Sequence, residues 1–97
     1  MTNTVIKTTC PLQTITHHKV PLFSRPIKVA IQHGLYTIWW ICPSITPTTE
    51  YYNHTIGLYP TSPEGTIPYD ISSEHHIDTI FESPYVWHFF DLGTRKQ

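Results

Sequence analysis

The clearest alternation of hydrophobic and polar positions lies in residues 25–42, where two strand-forming runs flank His33-Gly34. Gly34 can take the positive φ that a two-residue hairpin loop needs. Such a loop pairs apolar residues on one face, namely Ile31 with Tyr36, Val29 with Ile38 and Ile27 with Trp40. The opposite face receives Lys28, Ala30, Thr37 and Trp39. A slip of one residue would exchange the two faces, so the alternation predicts a β-hairpin over residues 27–42 in this register.

The rest of the chain alternates less regularly. Residues 1–20 are rich in Thr and interrupted by Pro11, which predicts an edge strand or an ordered arm. Residues 50–59 and 85–92 predict two further strands. Residues 73–82 are the one helical candidate, because Ile77, Ile80 and Phe81 recur at three- and four-residue spacing, but the same stretch also alternates well enough for a strand.

Composition favours strands throughout. The 97 residues include fifteen Thr and twelve Ile but one Ala and five Leu, and 13% of the residues are aromatic. Thr, Ile and aromatic residues fit strands, whereas Ala and Leu favour helices. We therefore expect a single, mainly β domain over residues 1–97, either a small antiparallel sandwich or a partly open barrel, with at most one short helix at about 73–82. Residues 94–97 form a basic tail.

Charge is divided along the sequence. Residues 1–49 contain four Lys or Arg and no carboxylate, whereas residues 50–94 contain all seven carboxylates and no Lys or Arg. The two halves either fold onto each other with complementary signs or form a bipolar surface that docks a partner or a second copy. Four basic residues spread over 49 are too few for a nucleic-acid footprint, so we expect no nucleic-acid partner. The longest apolar run, residues 35–42, is too short to span a membrane, so we expect no membrane partner.

Cysteines and histidines suggest neither a cofactor nor a metal. Cys10 and Cys42 form no C-x-x-C motif, and residues 1–10 do not have the pattern of a secretory signal, which predicts a cytoplasmic protein with free thiols. Seven histidines occur, but no pair has the two-residue strand spacing or the four-residue helix spacing that a metal site favours. We therefore expect no cofactor and no metal site.

One pair of residues offers an enzymatic alternative. The stretch from His54 to Tyr59, His-Thr-Ile-Gly-Leu-Tyr, resembles the histidine strand of NlpC-like and lecithin:retinol acyltransferase-like cysteine hydrolases. The resemblance covers six residues and implies His54 as the base for a nucleophilic Cys42. The nucleophile of those families begins a helix, which the prolines after Cys42 oppose. The competing interpretation of His54 is a buried histidine with a structural role. A further alternative for the whole protein is a β domain that binds a ligand or a metal.

Aromatic residues carry the leading functional hypothesis. Four of them are candidates for a second apolar surface: Trp39, Tyr51, Tyr59 and Trp87. Exposed Trp and Tyr are enriched at protein interfaces. We therefore expect a non-enzymatic protein-interaction module without a catalytic site, by analogy a viral or mobile-element accessory protein that modulates a host protein. A homodimer is also expected, in which residues 2–20 exchange with, or add to the edge of, a neighbouring copy.

Overall fold

The computed structural model describes residues 2–61, 67–68 and 70–95, with the backbone alone described for Arg95. Its regular elements are seven strands and one 3₁₀ turn. In chain order they are β1 (Asn3–Thr9), β2 (Ile15–Pro21), β3 (Arg25–Gln32), β4 (Leu35–Pro43), β5 (Tyr51–Pro60), a 3₁₀ turn (Ser73–His75), β6 (His76–Glu82) and β7 (Tyr85–Arg95). None of the helices among the described residues is long and apolar enough to cross a membrane.

The strands form two antiparallel sheets. The sheet that we call sheet A has the order β1-β4-β3, and sheet B has the order β2-β5-β7-β6. The two sheets pack as a sandwich, which confirms the mainly β prediction. β1 and β2 are both edge strands, one in each sheet. The basic tail expected at residues 94–97 begins inside β7, and residues 96–97 lie outside the described part of the chain.

The β3–β4 hairpin has the predicted register along most of its length. Ile31 pairs with Tyr36 and Val29 with Ile38, on either side of a loop in which His33 and Gly34 both have positive φ. The prediction for Ile27 was wrong, because a bulge between Pro26 and Lys28 sets Pro26 opposite Trp40 and leaves Ile27 exposed. Proline has no N–H for the ladder, so sheets tolerate it at bulges of this kind.

Residues 73–82 follow the strand alternative almost throughout. Helical geometry is limited to the 3₁₀ turn, where Ser72 caps the N–H of Glu74 and His75 closes a capping box. Residues 76–82 form β6 instead, because they pair with β7 and direct Ile77 and Ile80 against the core. Tertiary pairing therefore decides a stretch whose local pattern fits both structures.

The core lies between the sheets. It is assembled from alternate residues of the strands, so that a single face of each sheet supplies it. Its buried members are Cys10, Val20, Val29, Tyr36, Ile38, Trp40, Cys42, Ile56, Leu58 and Phe89. The even-numbered residues of β4 all belong to this set, and the odd-numbered residues of β4 consequently face away from the core.

Candidate functional site

The four aromatic residues predicted to share a surface lie in different places. Trp39 is half-buried on the outer face of sheet A, whereas Tyr51 is exposed near the start of β5 in sheet B. Tyr59 is buried on the outer face of sheet B against Phe90, and burial together with the charge of Asp70 raises its pKa. Trp87 packs against the core from the opposite face of that sheet. The structure does not bring these four side chains together.

Cys42 and His54 are both buried between the sheets. The ring nitrogens of His54 already have partners, since Nε2 lies 2.5 Å from Asp91 Oδ1 and Nδ1 lies 3.2 Å from Thr94 Oγ1. The Cys42 thiol instead is directed at the carbonyl oxygen of Trp40. The structure therefore builds a His54–Asp91 pair and does not assemble a pair between Cys42 and His54.

The carboxylate of Asp91 is adapted to that pair. Burial acts to raise the pKa of Asp91, but the hydrogen bond and charge of His54 and the N–H of Gly93 outweigh it and lower the pKa. The edge of the His54 ring packs against the indole of Trp40, with ring centroids 4.9 Å apart. His54 is thus held by polar contacts on its nitrogens and by an aromatic contact on its ring, as a structural core residue is.

A second buried histidine lies directly opposite His54 in the β2–β5 pair. His18 contacts Thr8 Oγ1 through Nδ1 and Thr16 Oγ1 through Nε2, both at 2.8 Å. The indole N–H of Trp40 donates to the same Thr8 hydroxyl at 2.9 Å. Burial lowers the pKa of His18 to about 4, with smaller contributions from the charges of His54 and His17, so His18 is neutral at pH 7. The cluster satisfies its polar atoms internally, which is how a core accommodates a buried histidine.

The outer face of sheet B carries a chain of hydrogen bonds between histidines and threonines. Thr79 Oγ1 lies 2.8 Å from His76 Nε2 and 3.0 Å from His88 Nδ1, and the other nitrogen of His88 contacts Thr61. These nitrogens are therefore engaged with hydroxyl groups. Among the described residues, no three His, Cys, Asp or Glu side chains converge as metal ligands do.

The outer face of sheet A has a different character. Trp39 lies on its central strand, directly between Lys7 of β1 and Lys28 of β3. The next outward residue of β4, Ile41, is paired directly with Arg25. We call this surface the basic face and define it as Lys7, Arg25, Lys28, Trp39 and Ile41. None of the strands that the structure describes packs on it.

The cations of the basic face are only partly neutralised. The Lys28 ammonium lies 3.2 Å from Asp78 Oδ2, whereas the Lys7 ammonium donates to the neutral Gln32 side chain at 2.7 Å. Within the described residues, neither Lys7 nor Arg25 forms an ion pair. Since sheet A comes entirely from the half of the chain without carboxylates, its outer face keeps a positive potential.

A shallow concavity lies at each end of the basic face. Each has a volume of about 210 Å³; one is lined by Phe23, Arg25 and Ile41 among others, and the other by residues that include Lys7 and Leu35. Phe23 is 80% exposed and has φ +67°, which is unusual for a residue other than glycine. Ser24 supports that turn, because both its N–H and its hydroxyl donate to the carbonyl oxygen of Pro21.

The sequence interpretation identified Trp39 but missed the residues that surround it. Lys7 and Lys28 flank the same indole although 21 residues separate them, because β1 and β3 lie on opposite sides of β4. The signal available in the sequence was the absence of carboxylates before residue 50. That signal indicated a basic half of the chain but not which basic residues share a face.

The whole chain, residues 1–97, matches the model of a family described as domain of unknown function DUF7352, and the protein belongs to that family. No curated protein and no solved structure matches the chain.

Proposed function

We propose that the protein is a non-enzymatic interaction module that binds an acidic surface of a partner protein through its basic face. The observation that carries the proposal is the position of Trp39, half-buried between Lys7 and Lys28 on an uncovered sheet. Tryptophan and arginine are the residues that most often dominate protein interfaces. Arg25, at the start of β3, and the exposed ring of Phe23 beside it extend the same chemistry to one end of the basic face.

Charge complementarity defines the partner. The ammonium of Lys7 and the guanidinium of Arg25 have no carboxylate partner among the described residues, so Asp or Glu side chains of another protein can pair with them without displacing an internal ion pair. Apolar groups of that partner would cover Trp39 and Ile41. Such a contact combines a desolvated centre with charges at its rim, which is the usual anatomy of a protein interface.

A protein partner fits this face better than a single-stranded nucleic acid. Proteins that bind single strands stack successive bases on several aromatic side chains along a basic groove. The basic face has one aromatic residue, Trp39, and its remaining outward positions on β4 include Thr37 and Ile41. Its pattern is therefore one anchor with surrounding charge rather than a series of stacking platforms.

The size of the face sets the expected affinity. Three strands about 4.8 Å apart and about eight residues long present roughly 350–400 Å². That area is at the small end for protein complexes and is typical of transient encounters. We therefore expect dissociation constants in the micromolar range and an interaction that weakens with salt.

Free thiols at Cys10 and Cys42 support the cytoplasm as the compartment of the protein. A small accessory protein of viral or mobile-element origin fits this mode of action.

The proposal is tested with defined probes. A fluorescent peptide of alternating Glu and Leu or Phe residues represents the acidic partner, and a thymidine 12-mer represents single-stranded DNA. Anisotropy titrations at low and physiological salt measure both. We expect micromolar binding of the peptide to the wild-type protein and at least tenfold weaker binding to Trp39→Thr and to Arg25→Glu.

Matched variants on sheet B serve as controls. Lys19→Glu makes the same charge change on the outer face of β2, and Phe81→Thr removes an exposed aromatic ring from β6. Both should bind the peptide as the wild-type protein does. Equal loss in the controls, no effect of the variants on the basic face, or tighter binding of the thymidine 12-mer would each overturn the proposal.

A further inference from the structure

One side of the sandwich is closed to additional strands. The backbones of β3 and β6 approach each other there, and Asp78 Oδ2 of β6 accepts the outward N–H of Val29 of β3 at 3.1 Å. Each of these edge strands also contains a bulge, between Pro26 and Lys28 in β3 and between His76 and Asp78 in β6. Bulges, prolines and charged side chains are the devices that keep an edge strand from pairing with another chain.

The edge of β2 is partly protected. The N–H of Leu58 donates to the carbonyl oxygen of Thr14, and the N–H of Leu22 donates to that of Glu50. Even-numbered residues of β2 therefore bond to β5, and odd-numbered residues direct their backbone groups outward. The last of these outward positions is Pro21, which has no N–H, and the one before it is the charged Lys19.

The edge of β1 is less protected, because Lys7 is the one such device that it contains. The N–H of Cys10 donates to the carbonyl oxygen of Tyr36, so the alternation of the ladder directs the backbone groups of Asn3, Val5, Lys7 and Thr9 away from β4. β1 pairs with β4 without a bulge over seven residues and contains no proline. Among the described residues, no side chain bonds to these four outward N–H groups, which form an open template for another strand.

We propose that β1 is the site at which a second copy of this chain adds, antiparallel, about a two-fold axis at Ile6. This register pairs the outward backbone groups of the two β1 strands over their full length, with Val5 opposite the partner's Lys7 and Asn3 opposite the partner's Thr9. It forms about eight backbone hydrogen bonds. The two copies of sheet A become one six-stranded sheet, and Ile6 meets its own symmetry mate on the core-facing side.

The residues of β1 favour this self-pairing. Lys7 is its one charged residue, and the Lys7 ammonium donates to Gln32 on the far side of β4, away from the open edge. An axis at Lys7 would set two lysines directly opposite each other, and like charges in that position destabilise a strand pair. An axis at Val5 would leave Thr9 beyond the end of the partner strand. The axis at Ile6 avoids both, and it joins two basic faces into one surface.

Charge variants at Val5 test both the dimer and its register. Val5 is 55% exposed, so its replacement leaves the core intact. Val5→Glu places a carboxylate opposite the partner's Lys7 at two symmetric positions, and Val5→Lys places an ammonium there. From the usual strength of cross-strand pairs we expect the dimer dissociation constant to fall roughly 2- to 30-fold for Val5→Glu and to rise by a similar factor for Val5→Lys.

Sedimentation equilibrium between about 5 and 500 μM measures the dissociation constants, with thermal unfolding as the check on folding. Ile27→Glu and Ile27→Lys are the matched controls, because Ile27 is similarly exposed on the closed side. The apparent mass of the wild-type protein should rise from 11.3 kDa toward twice that value as its concentration rises.

A wild-type protein that is still a monomer at 500 μM would overturn the proposal. The proposal would also be overturned if Val5→Glu and Val5→Lys weakened the dimer equally, because that result would place Val5 opposite Val5 of the partner. Changes in the dissociation constant at Ile27 as large as those at Val5 would overturn it as well. Binding of the acidic peptide is tested with the variants at Trp39 and Arg25, and dimerisation with the variants at Val5. The proposed function and the proposed dimer can therefore fail independently.

Discussion

The carboxylate of Asp78 accepts a hydrogen bond from the backbone N–H of Val29 at 3.1 Å, and this contact joins an edge strand of one sheet to an edge strand of the other. The same carboxylate pairs with the Lys28 ammonium and accepts the N–H of Thr79. Burial acts to raise the pKa of Asp78, but the hydrogen bonds from Val29, Lys28 and Thr79 together lower it. Asp78 is thus an ionised link between the two layers.

Removing that link should destabilise the fold. We expect Asp78→Ala to lower the free energy of unfolding by about 1–3 kcal/mol, because it leaves the Val29 N–H without its charged acceptor. Lys28→Met should cost less, about 0–1 kcal/mol, since the Lys28 side chain is 62% exposed. Urea denaturation measures both. Asp70→Ala, at an exposed carboxylate, is the control, and an equal effect of Asp70→Ala and Asp78→Ala would contradict the assignment.

His18 should make stability depend on pH. Its pKa is about 4 in the folded protein, whereas the pKa of a histidine in the unfolded chain is about 6.5. A lowered folded pKa means that the full stability is present above the unfolded value and is lost as the pH falls toward the folded value. We expect a loss of about 1–2 kcal/mol between pH 7 and pH 5.

Urea denaturation at several pH values measures this loss, and His18→Gln should largely abolish it. His33→Asn, at an exposed turn position with positive φ that Asn tolerates, should leave it unchanged. Direct titration by NMR gives an independent reading. A His18 resonance that titrates near pH 6.5 in the folded protein would show that the cluster with Thr8 and Thr16 does not keep the ring neutral.

The same substitution should destabilise the protein strongly at Trp40 and hardly at all at its neighbour Trp39. Trp40 is fully buried and donates its N–H to Thr8, so Trp40→Phe should cost about 2–4 kcal/mol of unfolding free energy through a cavity and a lost hydrogen bond. Trp39 lies on the outer face, where Trp39→Phe should change stability by about 0.5 kcal/mol or less. Thermal and urea unfolding measure both. Similar losses for the two variants would mean that the face of Trp39 is covered.

The two thiols should react slowly in the folded protein. Cys10 and Cys42 are both free and buried, and burial raises the pKa of Cys10 despite the opposing hydrogen bond from Thr16. We expect iodoacetamide to label both thiols at least about a hundredfold more slowly in buffer than in urea. Mass spectrometry of the peptides measures the two labelling rates. Fast labelling confined to Cys42 would instead support the hydrolase alternative, in which His54 activates that thiol.

The sequence by itself determined the class of fold and the local pairing of the hairpin. Alternation has a period of two in a strand, and a two-residue loop at His33-Gly34 leaves one register, so the pairs Val29–Ile38 and Ile31–Tyr36 follow from local pattern alone. The same reasoning failed at Ile27, because a bulge shifts the register between Pro26 and Lys28. A bulge changes the hydrogen bonding only locally, and the alternation around Pro26 does not reveal it.

Only the tertiary structure decided which strands became neighbours. The local pattern of residues 76–82 fits a helix or a strand, and pairing with β7 makes them a strand. His54 is a core histidine because the neighbouring strand β7 places Asp91 beside it. Lys7 and Lys28 are neighbours of Trp39 because β1 and β3 pair with opposite edges of β4. These partners are far apart in sequence, and the local pattern of a strand determines which of its faces is buried but not which strand lies beside it.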